Sequence, residues 1–160
     1  MTAVEEVRTR DSAGRLDGLR SNSLAAIVML LIEFGLGVGV NTYAKLPLAD
    51  SGKSLLPAFG RAVTGGPMVL TLHALLGTLL LITGVSVVVR AARIRNNVLL
   101  ALASVALVAI VVAWLSGARF VGDAADGASL AMALATGVTI LCYVIILFVA
   151  PLPAPMATIL

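Results

Sequence analysis

Four long apolar runs, separated by short polar stretches, set the pattern of this chain. They cover residues 23–43, 67–89, 97–117 and 128–149. Each is about 20 residues long, the length at which a helix crosses the hydrocarbon core of a bilayer. Tight connections between the second, third and fourth runs make sequential helices antiparallel neighbours. The pattern predicts an all-α membrane protein, a four-span antiparallel up-down helix bundle over residues 23–150.

The polar stretches give the boundaries and the orientation. Residues 1–22 carry Glu5, Glu6, Arg8, Arg10, Asp11, Arg15, Asp17 and Arg20. A mixed-charge segment of this kind, running into a full span without a small-residue cleavage site, is not a secretory signal peptide. It reads as a polar cytoplasmic tail with a short surface helix from Gly14 to Arg20, and Ser23 suits the N-cap of the first span. Residues 44–66 form a loop with Pro47, Pro57 and Gly65-Gly66, in which Leu55, Leu56 and Phe59 form a lid on the membrane surface. Pro67 opens the second span at a favoured first-turn position. A basic loop holds Arg90, Arg93 and Arg95, and a loop of polar residues follows Gly117. Pro151, Pro153 and Pro155 leave 151–160 as a proline-rich tail. Seven Lys and Arg flank one side of the spans, and four (Lys45, Lys53, Arg61, Arg119) flank the other. The excess of positive charge inside puts both termini in the cytoplasm and Tyr43 and Trp114 at the outer interface.

Composition agrees: 60% of residues are hydrophobic and 12% charged, against roughly half and a quarter in soluble domains. A net charge of +3 is no nucleic-acid signature. The single cysteine, Cys142, excludes an internal disulfide and a paired-thiol relay; buried and apolar, it reads as an inert thiol. Ser51-Gly-Lys53-Ser54 matches only the tail of a phosphate loop, because Pro47 stands where the leading glycine belongs and no strand precedes it. No catalytic triad, paired-carboxylate site or zinc spacing is present. The wealth of Ala, Val, Leu, Gly and Arg points to a GC-rich bacterial source and a multi-pass protein of the bacterial plasma membrane.

Two ionisable residues lie inside the spans, Glu33 and the only histidine, His73. Such groups cost roughly 2.5–3.5 kcal/mol each on insertion scales and mark functional sites by default. Imidazole is the usual protein ligand of a b-type haem, so His73 is the candidate axial ligand. Gly77 and Gly84 follow at about 40° and 20° around the helix from it, leaving a strip without side chains for a macrocycle. Met132 is the candidate second ligand, with Thr136, Thr139 and Tyr143 continuing down its helix; Met68 sits near the rim. The competing view is a histidine that hydrogen-bonds a neighbouring helix, with the glycines serving helix contact. One histidine cannot supply bis-imidazole ligation within one chain, whereas a dimer could. Glu33 can carry a proton, partner His73 or bond a threonine. At about 1.5 Å per residue, His73 lies about 9 Å below the outer end of its span and Glu33 near the midplane. They are not level, and contact requires a tilt or a one-turn shift. Glu33, Gly37 and Asn41 share a face. Gly35 and Gly39 form a Gly-xxx-Gly pair suited to close helix contact, and Ala106, Ala109 and Ala113 form a small-residue stripe.

Glu33-Phe-Gly-Leu-Gly-Val-Gly-Val-Asn41-Thr-Tyr43 and Gly65-Gly-Pro67-Met-Val-Leu-Thr-Leu-His73-Ala-Leu-Leu-Gly77 resemble segments of small four-span actinobacterial membrane proteins, a group that implies a fold and no activity. In architecture the bundle is similar to the membrane subunits of b-type cytochromes, which implies a histidine-ligated haem; those carry paired histidines, and this chain has one. A glutamate in the first of four spans also resembles the small multidrug-resistance exporters, without their aromatic residues in later spans. The expectation is a homodimeric protein of the lipid bilayer that binds haem b in the outer half of the bundle for redox or gas-ligand chemistry. His73 would ligate the iron, Gly77 and Gly84 would make room, and Glu33, Asn41, Met132 and Thr136 would complete the site. Proton-coupled export of small hydrophobic solutes through Glu33, and an accessory role in a larger membrane complex or beside a redox partner, are the alternatives.

Overall fold

The computed structural model describes residues 3–43, 67–123 and 126–150, with isolated positions between 57 and 64. Four helices make up the described chain: α1 (Ala3–Tyr43), α2 (Met68–Ile94), α3 (Asn97–Asp123) and α4 (Asp126–Val149). α1 contacts α2 and α4, and α3 contacts the same two helices. The result is the expected all-α up-down bundle, a ring of four antiparallel helices. Each helix contains a stretch long and apolar enough to cross a membrane: Ser12–Val40, Met68–Ile94, Asn97–Phe120 and Gly127–Val149. The chain is a multi-pass membrane protein.

Several boundaries differ from the sequence reading. The polar segment expected as a separate tail is continuous with the first span, and α1 is one helix of 41 residues. Its inner part has work to do there. Arg20 donates to the carbonyls of Leu147 and Ala150 at 3.0 and 2.8 Å, and Arg15 donates to the carbonyl of Arg93 at 3.4 Å. The ends of α4 and α2 thus receive positive charge where helix carbonyls are left open. α2 does not stop at Val89 but runs to Ile94, so its link to α3 is only Arg95 and Asn96. Arg95 adopts the left-handed conformation, φ 58° and ψ 31°, and its amide donates to the carbonyl of Ala92. Asn96 then caps α3, its Oδ1 accepting from the amides of Val98 and Leu99 at 3.0 and 3.2 Å. Pro67 is the N-cap of α2, one place earlier than expected. The proposed lid of Leu55, Leu56 and Phe59 and the tail 151–160 lie outside the described residues.

The helices meet along a repeat of alternating three- and four-residue steps. Inward positions are 19, 23, 26, 30, 33, 37 and 40 in α1, and 70, 73, 77, 80, 84, 87 and 91 in α2. They are 99, 103, 106, 110, 113, 117 and 120 in α3, and 128, 132, 135, 139, 142 and 146 in α4. A mean step of about 3.5 residues keeps one seam of each helix facing its partners in a left-handed bundle. At the end bearing Arg15 and Ala150 this seam is closed, with large side chains set among small ones such as Ser23, Ala26, Ala91, Ala103 and Ala106. Leu19, Val87, Leu99, Tyr143 and Ile146 are fully buried there.

The two-residue link makes Asn96 a pivot of the fold. Asn96→Ala is expected to destabilise the protein by about 1 kcal/mol, while Asn96→Asp, an equally good cap, retains most of the stability. Thermal unfolding in detergent checks this; equal melting of Ala and Asn proteins would remove the cap from the account.

Candidate functional site: a chamber beside an intramembrane histidine–glutamate pair

In the distal half, away from Arg15 and Ala150, the same seam carries a run of small or polar residues before it closes again at Val40, Leu70 and Phe120. Glu33 and Gly37 come from α1, His73 and Gly77 from α2, Ala113 and Gly117 from α3, and Met132 from α4. Where Leu or Ile would fill the centre, the repeat leaves a chamber of about 210 Å³ bordered by all four helices. Leu30, Leu80 and Ile110 border it and also belong to the closed core, so the chamber ends there. Phe34, Trp114 and Phe120 bring aromatic faces to its wall, and Ser129, Thr136 and Thr139 bring hydroxyls.

Glu33 and His73 meet in that wall, with His73 Nδ1 at 3.1 Å from Glu33 Oε1. The contact that the depth estimate made conditional on a tilt or a one-turn shift is present. Glu33 is level with Gly77, one turn from His73, as the depth estimate had it. The glutamate side chain covers that turn, because a β-carbon on Gly77 would lie 3.0 Å from Glu33 Oε1. A β-carbon on Gly37 would lie 3.3 Å from His73 Cε1. Each glycine on one helix therefore receives the ionisable side chain of the other. The space at Gly77 is filled by its own partner rather than kept for a macrocycle.

The contact has ion-pair distance without hydrogen-bond alignment. His73 Nδ1 and Glu33 Oε2 are buried without a hydrogen-bond partner, and the side chains are 20% and 13% exposed. A histidine and a carboxyl group in contact are net neutral whether the proton sits on imidazole or carboxylate, which lowers the cost of holding both in hydrocarbon. Nδ1 lies against Glu33 and is buried, leaving Nε2 as the nitrogen available to a ligand.

Of the residues expected at the site, Glu33, His73, Gly77, Met132 and Thr136 all border the chamber. Gly84 does not. It is buried against Leu107 Cδ1 and Ile110 Cδ1, 3.1 and 3.2 Å from where its β-carbon would be. It serves helix contact, as the competing view had it. Asn41 lies in α1, but its side chain is outside the described residues. Met132 Sδ sits over Gly117, 3.2 Å from its would-be β-carbon. Met68 is 78% exposed and remote from chemistry. Gly35 and Gly39 part company: Gly39 faces Val69 of α2, and Gly35 faces open space. Cys142 is a buried free thiol.

Trp114 borders the chamber, its Nε1 donating to Thr78 Oγ1 at 3.4 Å. Thr78 donates in turn to the carbonyl of Ala74. The floor residues Leu30, Leu80 and Ile110, and Gly117 and Phe120, were not anticipated. The three-four seam is the sequence signal that marks them.

Among the described residues, no three His, Cys, Asp or Glu side chains come together as a bare metal ion would require. Comparison with protein-family models, curated proteins and solved structures yields no match.

If Glu33 and His73 depend on one another, their substitutions are non-additive. Glu33→Ala and His73→Ala should each destabilise the protein, and the double variant should be less destabilised than the sum by roughly 0.5–3 kcal/mol. A double-mutant cycle on detergent-solubilised protein measures this; additivity would show two independent groups.

Proposed function

We propose that this protein binds a small, largely apolar ring compound in the distal chamber, with His73, backed by Glu33, as its hydrogen-bonding group. The observation that carries this reading is the conjunction of an apolar chamber of about 210 Å³ with a buried, imperfectly satisfied ionisable pair in its wall. An apolar cavity of about 150 Å³ takes up benzene, so this one suits a single substituted ring. Ligand sites have this make-up, a mostly apolar lining with a few placed polar groups. The arginines at the opposite end of the bundle, Arg15, Arg20, Arg90, Arg93 and Arg95, face the cytoplasm by the charge rule. The chamber then lies in the outer half of a bacterial plasma membrane. Its ending on a closed core favours a binding site over the transport path that Glu33 alone suggests.

Trp114 is the only tryptophan and borders the chamber, so its fluorescence reports occupancy. Titration with a tailless single-ring quinone, a quencher of indole emission, is expected to quench it saturably. Ala113→Leu, which adds bulk at the chamber wall, should weaken binding by about tenfold or more, the effect of losing roughly 1.4 kcal/mol. Quenching that is linear in quinone, and equal in both proteins, would overturn the reading.

Haem b is the second reading. It is favoured by the placing of His73 and Met132 on one chamber and by the carboxylate behind the imidazole, the arrangement that orients ligating histidines. A porphyrin contains four pyrrole rings, each close to benzene in size, and exceeds the chamber unless the helices part. Protein from haem-supplied cells would show a Soret band lost in His73→Ala if this reading holds; no Soret band removes it.

A further inference from the structure

We infer that the chamber's occupant arrives sideways from the bilayer, between α1 and α4, and is a single-ring quinone carried on an apolar tail. This rests on the reading of the chamber as a small-molecule site and names its ligand class and route.

The route follows from which lining residues also reach the outside. Three of them are exposed: Phe34 and Val38, each 52% exposed, and Ala133. The first two lie on α1 and the third on α4, the two helices that face each other across one seam of the ring. The described lining residues of α2 and α3 are buried or half-buried. The exposed surface around the seam is apolar, with Leu31 58%, Leu130 62% and Leu134 62% exposed. In a membrane this gap faces acyl chains, so a lipid-soluble molecule reaches it without crossing water.

The ligand class follows from the walls. The chamber is narrow between helices that approach closely at Gly37, Gly77 and Gly117, each covered by a side chain of a neighbouring helix, and Trp114 brings an aromatic ring to its wall. That shape suits a planar ring. The polar groups stand on different helices, His73 on α2 and Ser129 and Thr136 on α4. A ring with a carbonyl on each of two opposite edges can accept from imidazole on one side and from a hydroxyl on the other. Among the described residues, no Lys or Arg borders the chamber and Glu33 does, which disfavours the carboxylate of a fatty acid and the phosphate of a phospholipid. A tail on the ring has the α1–α4 gap as its way out to lipid.

The test uses the full chain in liposomes of neutral phospholipid, with Trp114 fluorescence as the readout. One probe is a decyl-substituted benzoquinone dissolved in the bilayer; the other is tetramethyl-benzoquinone, which has no tail. Ala133→Phe narrows the gap, and Val38→Phe does so from the opposite helix. Both probes are expected to quench the unaltered protein saturably. Each substitution should slow association of the tailed quinone by about tenfold more than that of the tailless one, since a blocked route acts on the on-rate. Equal slowing of both, or no slowing of either, overturns the lateral route while leaving the chamber site standing. Displacement of the quinone by a decyl amine at lower concentration overturns the quinone assignment. Absence of saturable quenching by either probe overturns the chamber reading and this inference together.

Discussion

An ionisable side chain inside a bilayer needs a partner at its own depth, and that requirement joins α1 to α2. Glu33 and His73 each carry an insertion cost of roughly 2.5–3.5 kcal/mol when alone. At 3.1 Å each is the other's polar partner. The contact exists because each helix offers a glycine where the other helix places its polar group: Gly77 under Glu33, and Gly37 beside His73. The pair and the glycines are one device. A β-carbon at Gly77 would displace the carboxylate, and loss of either ionisable group would leave the other buried without a partner.

The same seven-residue repeat runs through both halves of the bundle, with large and small inward residues in each; one half packs closed and the other keeps a chamber. Leucine, valine, tyrosine and isoleucine close the half that bears Arg15 and Ala150. Glycine, alanine and the polar pair open the other. Interiors tolerate little unfilled volume, since each lost contact weakens the fold. A chamber built from several small residues on four helices is therefore a costly arrangement, and filling it with a ligand would recover part of the lost contact. Arg15 and Arg20 act at the far end, fixing the termini of α2 and α4 to α1. The closed half can then serve as the rigid base on which the open half is held.

Much of this was legible in the residues. Apolar length gave the four spans, and the rarity of charge within them singled out Glu33 and His73. Their pairing was one of several uses the residues left open, because depth counted along the backbone does not include the reach of a glutamate side chain. Gly84 was misread because an absent side chain does not say whether a neighbour fills the space; Leu107 and Ile110 fill it. Residue type alone did not reveal that Trp114, one residue after the seam position Ala113, borders the chamber. The continuity of α1 through its polar segment was hidden because charge marks where a helix leaves the membrane, not where it ends. The seam itself was readable, but only by comparing four helices at once.

Because the chain has one histidine, its imidazole nitrogens can be observed without assignment. The most direct measurement is nitrogen-15 NMR of histidine-labelled protein in bilayers, with and without a tailless quinone, in the unaltered protein and in Glu33→Gln. The account predicts that Glu33→Gln moves the Nδ1 resonance and that the quinone moves Nε2. Nitrogen signals indifferent to both changes would show an imidazole that neither leans on Glu33 nor faces a binding chamber, and would contradict it.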